Sequence, residues 1–277
     1  MKQLGLALIA ACTMLTASAQ TLKTPAPSPT QTIKQDFGLA SIELSYSRPG
    51  MKSRTIFGDV VPFGKVWRTG ANGATTLHFG DEVSIGGTKI PAGKYGLLTI
   101  PGKDSWILII TKSLNVTQPA AYKPEEDVVR VTVKPMKLRD AVENFTMQFA
   151  NVKNTSCELQ LMWEKTAVAL PISTDIDSRI MAQIDAAMQT PKPPYFAAAA
   201  YYMDNSKDLN KALDWYNKAL EQSPGAFFIL YQKASCLAKL GRKEEAAKTA
   251  NESIEAATKA KNDDYVTLNK KLLATLK

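Results

Sequence analysis

The chain has 277 residues, of which 45% are hydrophobic and 22% are charged. These fractions are typical of a globular protein and exclude a disordered tail, a collagen and a coiled coil. The formal charge of +8 is mild, and the lysines are mostly interleaved with acids. Because nucleic-acid binding needs a concentrated basic surface, we expect no nucleic-acid partner.

The first residues have the pattern of an export signal. A lysine precedes a mostly apolar run, and a small-x-small sequence ends at Ala19. This pattern predicts a signal peptide over residues 1–19, cut between Ala19 and Gln20, and an exported, periplasmic protein. The run is too short to span a bilayer, so we expect no transmembrane span in the mature form. An outer-membrane lipoprotein anchored through Cys12 is the less favoured alternative. The proline- and threonine-rich residues 20–33 predict a disordered tether.

Residues 34–173 carry the pattern of an all-β domain. Short runs of alternating apolar and polar residues end at Gly or Pro, and Gly86-Gly87 has the signature of a two-residue hairpin loop. We count eight or nine such runs with no helical pattern between them. This order predicts an antiparallel β-sandwich rather than a parallel sheet.

The period changes to that of helices over residues 174–277. Thr174 is a candidate N-cap, and Ile176, Ile180 and Ile184 follow on one helical face. Further helices are predicted from about Tyr195 to Met203, Leu209 to Gln222, Ala226 to Leu240, Lys243 to Ala260 and Asp263 to Lys277. The fold class is therefore α+β, a sandwich followed by a helical region.

The helical region contains a repeat with the spacing of a tetratricopeptide. The period is 34 residues, with small residues where helices would cross and Gly or Pro where they would end. Ala250 and Ser253 depart from the pattern, so we predict one good repeat, one degenerate repeat and a capping helix. Such repeats usually bind a protein partner; the alternative is that these helices only brace the sandwich. The signature residues are Ala212, Tyr216, Ala219, Pro224, Ala234, Gly241 and Ala246.

The sequence offers little for catalysis. His78 is the only histidine, and no zinc spacing, phosphate-binding loop or nucleophile elbow occurs. We therefore predict no metal and no cofactor. Cys157 and Cys236 lie in apolar patterns and are predicted to be buried free thiols, with an interdomain disulfide as the alternative.

One segment, residues 47–76, is long for a connection and rich in Gly and Pro. It also brings five cations close together in sequence, namely Arg48, Lys52, Arg54, Lys65 and Arg68. Arg offers a planar fork of donors for carboxylate or phosphate, and Trp offers a flat face for a sugar. We therefore predict a site for a small anionic or sugar ligand. The alternative is structural: Arg68 pairs with an acid or caps loop carbonyls while Trp67 fills the core. The candidate ligand-binding residues are Arg54, Trp67, Arg68 and Asn72.

The sequence W-R-T-G-A-N at residues 67–72, with P-F-G-K-V before it and A-T-T after it, resembles domain of unknown function family 2911. Its members are exported bacterial proteins, chiefly of the Bacteroidetes, and many carry a similar helical tail. The resemblance covers about residues 34–172 and implies no activity. Members often have Glu and Asn where this chain has Gly73 and Thr111, so a polar site at those positions would be altered here.

These observations predict a non-enzymatic binding or scaffolding module of the bacterial envelope. The alternative is an envelope hydrolase that acts on glycan or ester bonds through loop carboxylates. Two carboxylates about 5 to 10 Å apart beside Trp67 would favour that alternative.

Overall fold

The computed structural model describes residues 24–276. The predicted signal peptide, its cleavage site at Ala19 and Gln20, and the alternative lipid anchor Cys12 lie outside these residues. The described chain divides into two compact units, the first ending at Asp175 and the second beginning at Ile176.

The N-terminal unit is built from β-strands. Their alternating burial follows the apolar and polar alternation of the sequence, since neighbouring side chains of a strand point to opposite faces. The ten strands among the described residues of this unit are β1 (Thr30–Phe37), β2 (Ala40–Ser47), β3 (Thr76–Phe79), β4 (Val83–Ile85), β5 (Thr88–Ile90), β6 (Gly93–Ile100), β7 (Trp106–Thr111), β8 (Asp127–Val133), β9 (Met136–Ala150) and β10 (Ser156–Ser173).

The strands form two antiparallel sheets. One has six strands in the order β1-β2-β3-β6-β7-β8, and the other has four in the order β5-β4-β10-β9. Side chains from both sheets share one core, in which Tyr46 of the first sheet packs against Phe145 of the second, and Phe145 in turn packs against Trp163. The predicted antiparallel sandwich is confirmed, and Gly86-Gly87 joins β4 to β5 as expected.

Three details differ from the sequence expectation, the first being that the described residues form ten strands instead of eight or nine. β1 begins at Thr30, inside the segment predicted to be a tether, and pairs with β2 from Thr30 opposite Ser47 to Phe37 opposite Ala40. Its half-exposed edge position needs few apolar residues, which is why composition did not reveal it. Thr174 is not a helix N-cap, because the first helix begins at Asp177 with Ile176 at the N-cap position, and the Thr174 hydroxyl donates to the carbonyl of Glu82 at 2.9 Å.

The regular structure of the second unit is helical throughout its described residues, and consecutive helices from the second onward pack against one another. None of the helices in residues 24–276 combines the length and the apolar character needed to cross a membrane. The helices are α1 (Asp177–Ala187), α2 (Tyr195–Asp204), α3 (Leu209–Gln222), α4 (Phe227–Lys239), α5 (Lys243–Lys259) and α6 (Asp263–Thr275).

The repeat signature falls on the core and the turns of this unit. Gly241 has a φ of +77° in the turn between α4 and α5, a conformation that favours glycine. Pro224 follows the end of α3, as a helix-stopping residue should. The arrangement is loosely consistent with the tetratricopeptide-like region that the sequence predicts. The buried signature residues are Ala212, Tyr216, Ala219, Ala234 and Ala246.

The two cysteines of the described chain are buried and free, as predicted. Burial raises the pKa of Cys157 to about 11, and it also raises the pKa of Cys236. A thiol with a raised pKa carries little reactive thiolate at neutral pH. These side chains therefore act as small apolar core residues.

Candidate functional site

The segment between β2 and β3 is anchored along β6. Trp67 exchanges two backbone hydrogen bonds with Thr99, of 2.7 and 3.0 Å, and the Gly64 amide donates to the carbonyl of Pro101 at 2.8 Å. The segment therefore continues the line of the short strand β3 beside the second half of β6. This pairing fixes the backbone that carries Trp67 and Arg68.

The W-R-T-G-A-N turn is held by its small residues. Thr69 and Asn72 have left-handed φ angles of 58° and 57°. A Cβ on Gly70 would lie 3.0 Å from the carbonyl oxygen of Ser47, and its φ of +149° is also unfavourable for other residues. The Thr75 hydroxyl donates to the carbonyl of Thr69 at 2.6 Å. Much of this motif therefore specifies a backbone shape.

Trp67 belongs in part to the aromatic core. Its ring stacks on that of Trp163 with centroids 5.9 Å apart and an interplanar angle of 18°. The edge of Phe145 packs against it at 5.0 Å, and the indole nitrogen donates to the carbonyl of Gly70 at 3.1 Å. The ring is nevertheless only half-buried, which leaves part of it available at the surface.

A cavity of about 480 Å³ opens beside this aromatic cluster. Three cationic side chains line it, and no Asp or Glu lies among the described residues of its wall. We call it the arginine cavity and define it by Arg54, Lys65, Trp67, Arg68, Thr117 and Trp163. Its lining therefore carries a positive charge beside an aromatic surface.

Arg68 joins the cavity to the loop between β7 and β8. One guanidinium nitrogen, Nη1, donates to the carbonyl of Thr117 at 2.5 Å. The Nε atom is buried and has no hydrogen-bond partner within residues 24–276. The predicted structural role, capping of a loop carbonyl, therefore uses only part of this side chain. Its other two guanidinium nitrogens make no hydrogen bond within the described residues.

Arg54 is oriented by its own loop. Its Nε donates to the carbonyl of Met51 at 2.9 Å, and its Nη2 donates to the carbonyl of Gly50 at 2.8 Å. These bonds restrict the guanidinium group in the free protein. Such restriction lowers the entropy cost of binding a ligand in general.

Asn72, the remaining predicted ligand-binding residue, lies outside the cavity wall, and so does Arg48, another cation of the segment. The exposed Asn72 donates to the carbonyl of Ser28 at 2.9 Å, and Ser28 does line the cavity, so Asn72 acts on the wall indirectly. Arg48 donates to the Phe145 carbonyl and the Thr146 hydroxyl instead. The structure thus brings Arg54, Trp67 and Arg68 together but not the whole cationic group.

Sequence reasoning missed part of the wall. Thr117, Gln118 and Pro119 come from the loop between β7 and β8, and Trp163 comes from β10. The loop residues are uncharged and belong to no motif, so their sequence gives no sign that they line a cavity. Trp163 lies in a run of alternating apolar and polar residues, and this pattern predicts only that its side chain is in the core.

The described residues hold no group of three or more His, Cys, Asp or Glu side chains arranged for a metal ion. His78 is exposed on β3, where its neighbours across the sheet are Glu43 and Lys94. Its position, on the face opposite the buried Leu77 and Phe79, is the one that the strand alternation predicts.

The N-terminal unit is thus an antiparallel sandwich with a cationic cavity beside an aromatic cluster. The profile of a family described as "Protein of unknown function (DUF2911)" matches residues 28–172, a little over half of the chain. The chain belongs to this family, as its W-R-T-G-A-N motif indicated. Neither a curated protein nor a solved structure gave a match.

Proposed function

We propose that the N-terminal unit is a non-enzymatic binding module that holds a small anionic ligand in the arginine cavity. The supporting observation is that Arg54, Lys65 and Arg68 line one cavity without a carboxylate among its described wall residues. The buried Nε of Arg68 lacks a partner there, and buried donors are normally hydrogen-bonded. A carboxylate or phosphate oxygen would satisfy it.

The aromatic surface narrows the ligand class. Trp67 and Trp163 line the cavity next to the cations, and an indole face packs well against the C–H face of a sugar. The volume of about 480 Å³ lies in the range of small-molecule sites. A sugar bearing a carboxylate or phosphate matches both properties. The described wall offers no carboxylate pair of the glycosidase kind, so binding is favoured over hydrolysis.

Calorimetric titration of the mature protein with glucuronate, glucose 6-phosphate and glucose tests this proposal. We expect the two anions to bind and glucose to bind at least tenfold more weakly. Arg68→Gln should weaken anion binding at least tenfold, because it removes the charge and the unsatisfied donor. Lack of binding of both anions at millimolar concentration would overturn the proposal.

Arg48→Gln is the matched control. It also removes an arginine that donates to a backbone carbonyl, here that of Phe145 in β9, but Arg48 does not line the cavity. Anion affinity should survive in this variant. Equal losses of affinity in both variants, together with equal losses of melting temperature, would indicate that Arg68 is only structural.

We propose that the helical unit binds a protein partner, as its repeat spacing suggests. Phe228 supports this, since 37% of its surface is exposed while its ring packs edge-on against Phe196 at 5.3 Å. To test this, the full mature chain is used as bait to capture partners from envelope extract. A partner lost with Phe228→Glu but retained with Leu39→Glu, an exposed leucine of the N-terminal unit, would support the proposal. Identical capture by both variants and the wild type would favour the bracing role.

Export to the periplasm completes the proposal. It is supported by the signal-peptide pattern of residues 1–19 and the small residue at Ala19. The intact mass of the protein from a periplasmic fraction should correspond to a chain that begins at Gln20. A lipid-modified chain that begins at Cys12 would contradict it.

A further inference from the structure

A second cavity of about 360 Å³ lies in the same unit, and the proposed function does not use it. Aromatic rings of Phe57, Phe63 and Trp106 line it together with three lysines. We call it the lysine cavity and define it by Phe57, Phe63, Lys103, Trp106, Lys137 and Lys165. None of these residues lines the arginine cavity.

The cavity is located where the pairing of β9 and β10 becomes irregular. Glu164 pairs with Val142 and Thr166 pairs with Lys137, so residues 138–141 of β9 face the single residue Lys165. Glu164 also has a left-handed φ of 53°. Bulges and strained residues of this kind lower stability, and they are found more often than average beside binding sites.

Aromatic rings form the apolar side of the cavity. Phe57 packs edge-on against Trp106 with centroids 4.8 Å apart, and its other contacts, with Trp67 and Trp163, are at 6.2 and 6.3 Å. It therefore lies between the two cavities. Gly58 allows this arrangement, since a Cβ there would lie 2.7 Å from the ring of Phe63. The apolar side is thus fixed by the tight turn of its loop.

Charge defines the other side. Lys103, Lys137 and Lys165 are exposed, whereas Glu164 is the single acidic residue in the described wall. No ion pair within residues 24–276 joins Glu164 to any of these lysines. The lining therefore carries a net charge of about +2 from three lysines and one glutamate.

We infer that the lysine cavity is a second binding site, specific for a small aromatic carboxylate. The ring of such a ligand would pack against Phe57 and Phe63, and its carboxylate would be neutralised by the lysine ammonium groups. Apolar packing with a few charged groups is the usual composition of a small-molecule site. The volume of about 360 Å³ suits a ligand of one ring.

The test titrates the mature protein with phenylacetate, 2-phenylethanol and acetate. Phenylacetate should bind at least tenfold more tightly than either of the other two, because only it has both the ring and the charge. Its binding should change the tryptophan fluorescence, since Trp106 lines the cavity. Equal affinity for 2-phenylethanol, or no binding of phenylacetate at millimolar concentration, would overturn the inference.

The paired variant Lys137→Gln/Lys165→Gln should weaken phenylacetate binding at least fivefold. The pair Lys248→Gln/Lys259→Gln, two exposed positions of α5, makes the same charge change and should leave affinity unchanged. Arg68→Gln should also leave it unchanged, because Arg68 lines only the arginine cavity. If Arg68→Gln abolishes phenylacetate binding and the lysine pair does not, the ligand occupies the arginine cavity and the inference is wrong.

Discussion

The two units fill their cores with different side chains. The sandwich buries large residues that are distant in sequence, such as Tyr46 against Phe145 with ring centroids 5.8 Å apart. The helical unit buries alanines, with Ala212, Ala234 and Ala246 fully inaccessible. Sheets that pack face to face need bulky residues to fill the space between them, whereas helices approach closely only over small residues. Each core follows from the geometry of its elements.

Their connections differ in the same way. The segment between β2 and β3 covers residues 48–75, whereas residues 240–242 suffice between α4 and α5. A long connection must find its own contacts, and here it packs aromatic rings against the core while leaving cations at the surface. Both proposed sites use residues of that connection, namely Trp67 and Arg68 in one and Phe57 in the other. The residues proposed to bind ligands are thus concentrated where regular structure is absent.

The largest expected effect tests the aromatic core. Trp163→Ala should lower the free energy of unfolding by about 3–5 kcal/mol, the usual cost of truncating a fully buried tryptophan. Only 2% of its surface is exposed, and it stacks on Trp67. Denaturant unfolding measures the loss, and hydrogen exchange should show lower protection in β9 and β10 but not in α3 to α5. Trp163→Phe is the control and should lose clearly less; an equal loss would contradict the packing argument.

A smaller effect is expected from enlarging a helix contact. Ala246→Leu should cost about 1–3 kcal/mol of unfolding free energy, because the side chain at this buried position has no room for three more carbons. Ala197→Leu makes the same change at an exposed position of α2 and should cost less than about 0.5 kcal/mol. Thermal or urea unfolding compares the two variants. Similar values would mean that alanine does not mark close contacts in this unit.

The smallest expected effect concerns the loop between β7 and β8. Burial, together with the hydrogen bond to Asp127, raises the pKa of Tyr122 from its ordinary 10.0 to about 12. The folded chain therefore keeps a proton that the unfolded chain loses above pH 10. The resulting stability is complete below pH 10 and is lost as the pH rises towards 12.

Phenolate absorbance during a titration from pH 9 to 13 measures this effect. Tyr122→Phe should remove part of the late absorbance rise, and its stability should fall less steeply between pH 10 and 12. Tyr231→Phe, in the helical unit, controls for the loss of one phenol. An unchanged late rise in Tyr122→Phe would show that the loop does not hold this side chain as described.

Sequence patterns predicted the helices and strands well, but they did not predict which side chains meet in the folded chain. The helix predicted from Leu209 to Gln222 has those bounds in the structure, because an N-cap aspartate and a proline mark its two ends. β1 was missed at its beginning, since an edge strand with polar side chains resembles a linker. Thr174 was wrongly predicted to be an N-cap, since that position belongs to Ile176 and the Thr174 hydroxyl binds the carbonyl of Glu82, 92 residues away in sequence. Local signals specify local structure, and such a distant partner leaves no local signal.

The sequence by itself determined the fold class, the order of strands and helices, and the family through its W-R-T-G-A-N motif. These depend on periodicity, turn residues and contiguous motifs, all of which can be read along the chain. Only the tertiary structure decided which cations share a cavity, because Arg68 meets Thr117 and Trp67 meets Trp163 across long separations. Arg48 and Lys52 are cations of the same segment as Arg54, yet they lie outside the cavity wall. The direction in which the folded backbone projects each side chain made that difference.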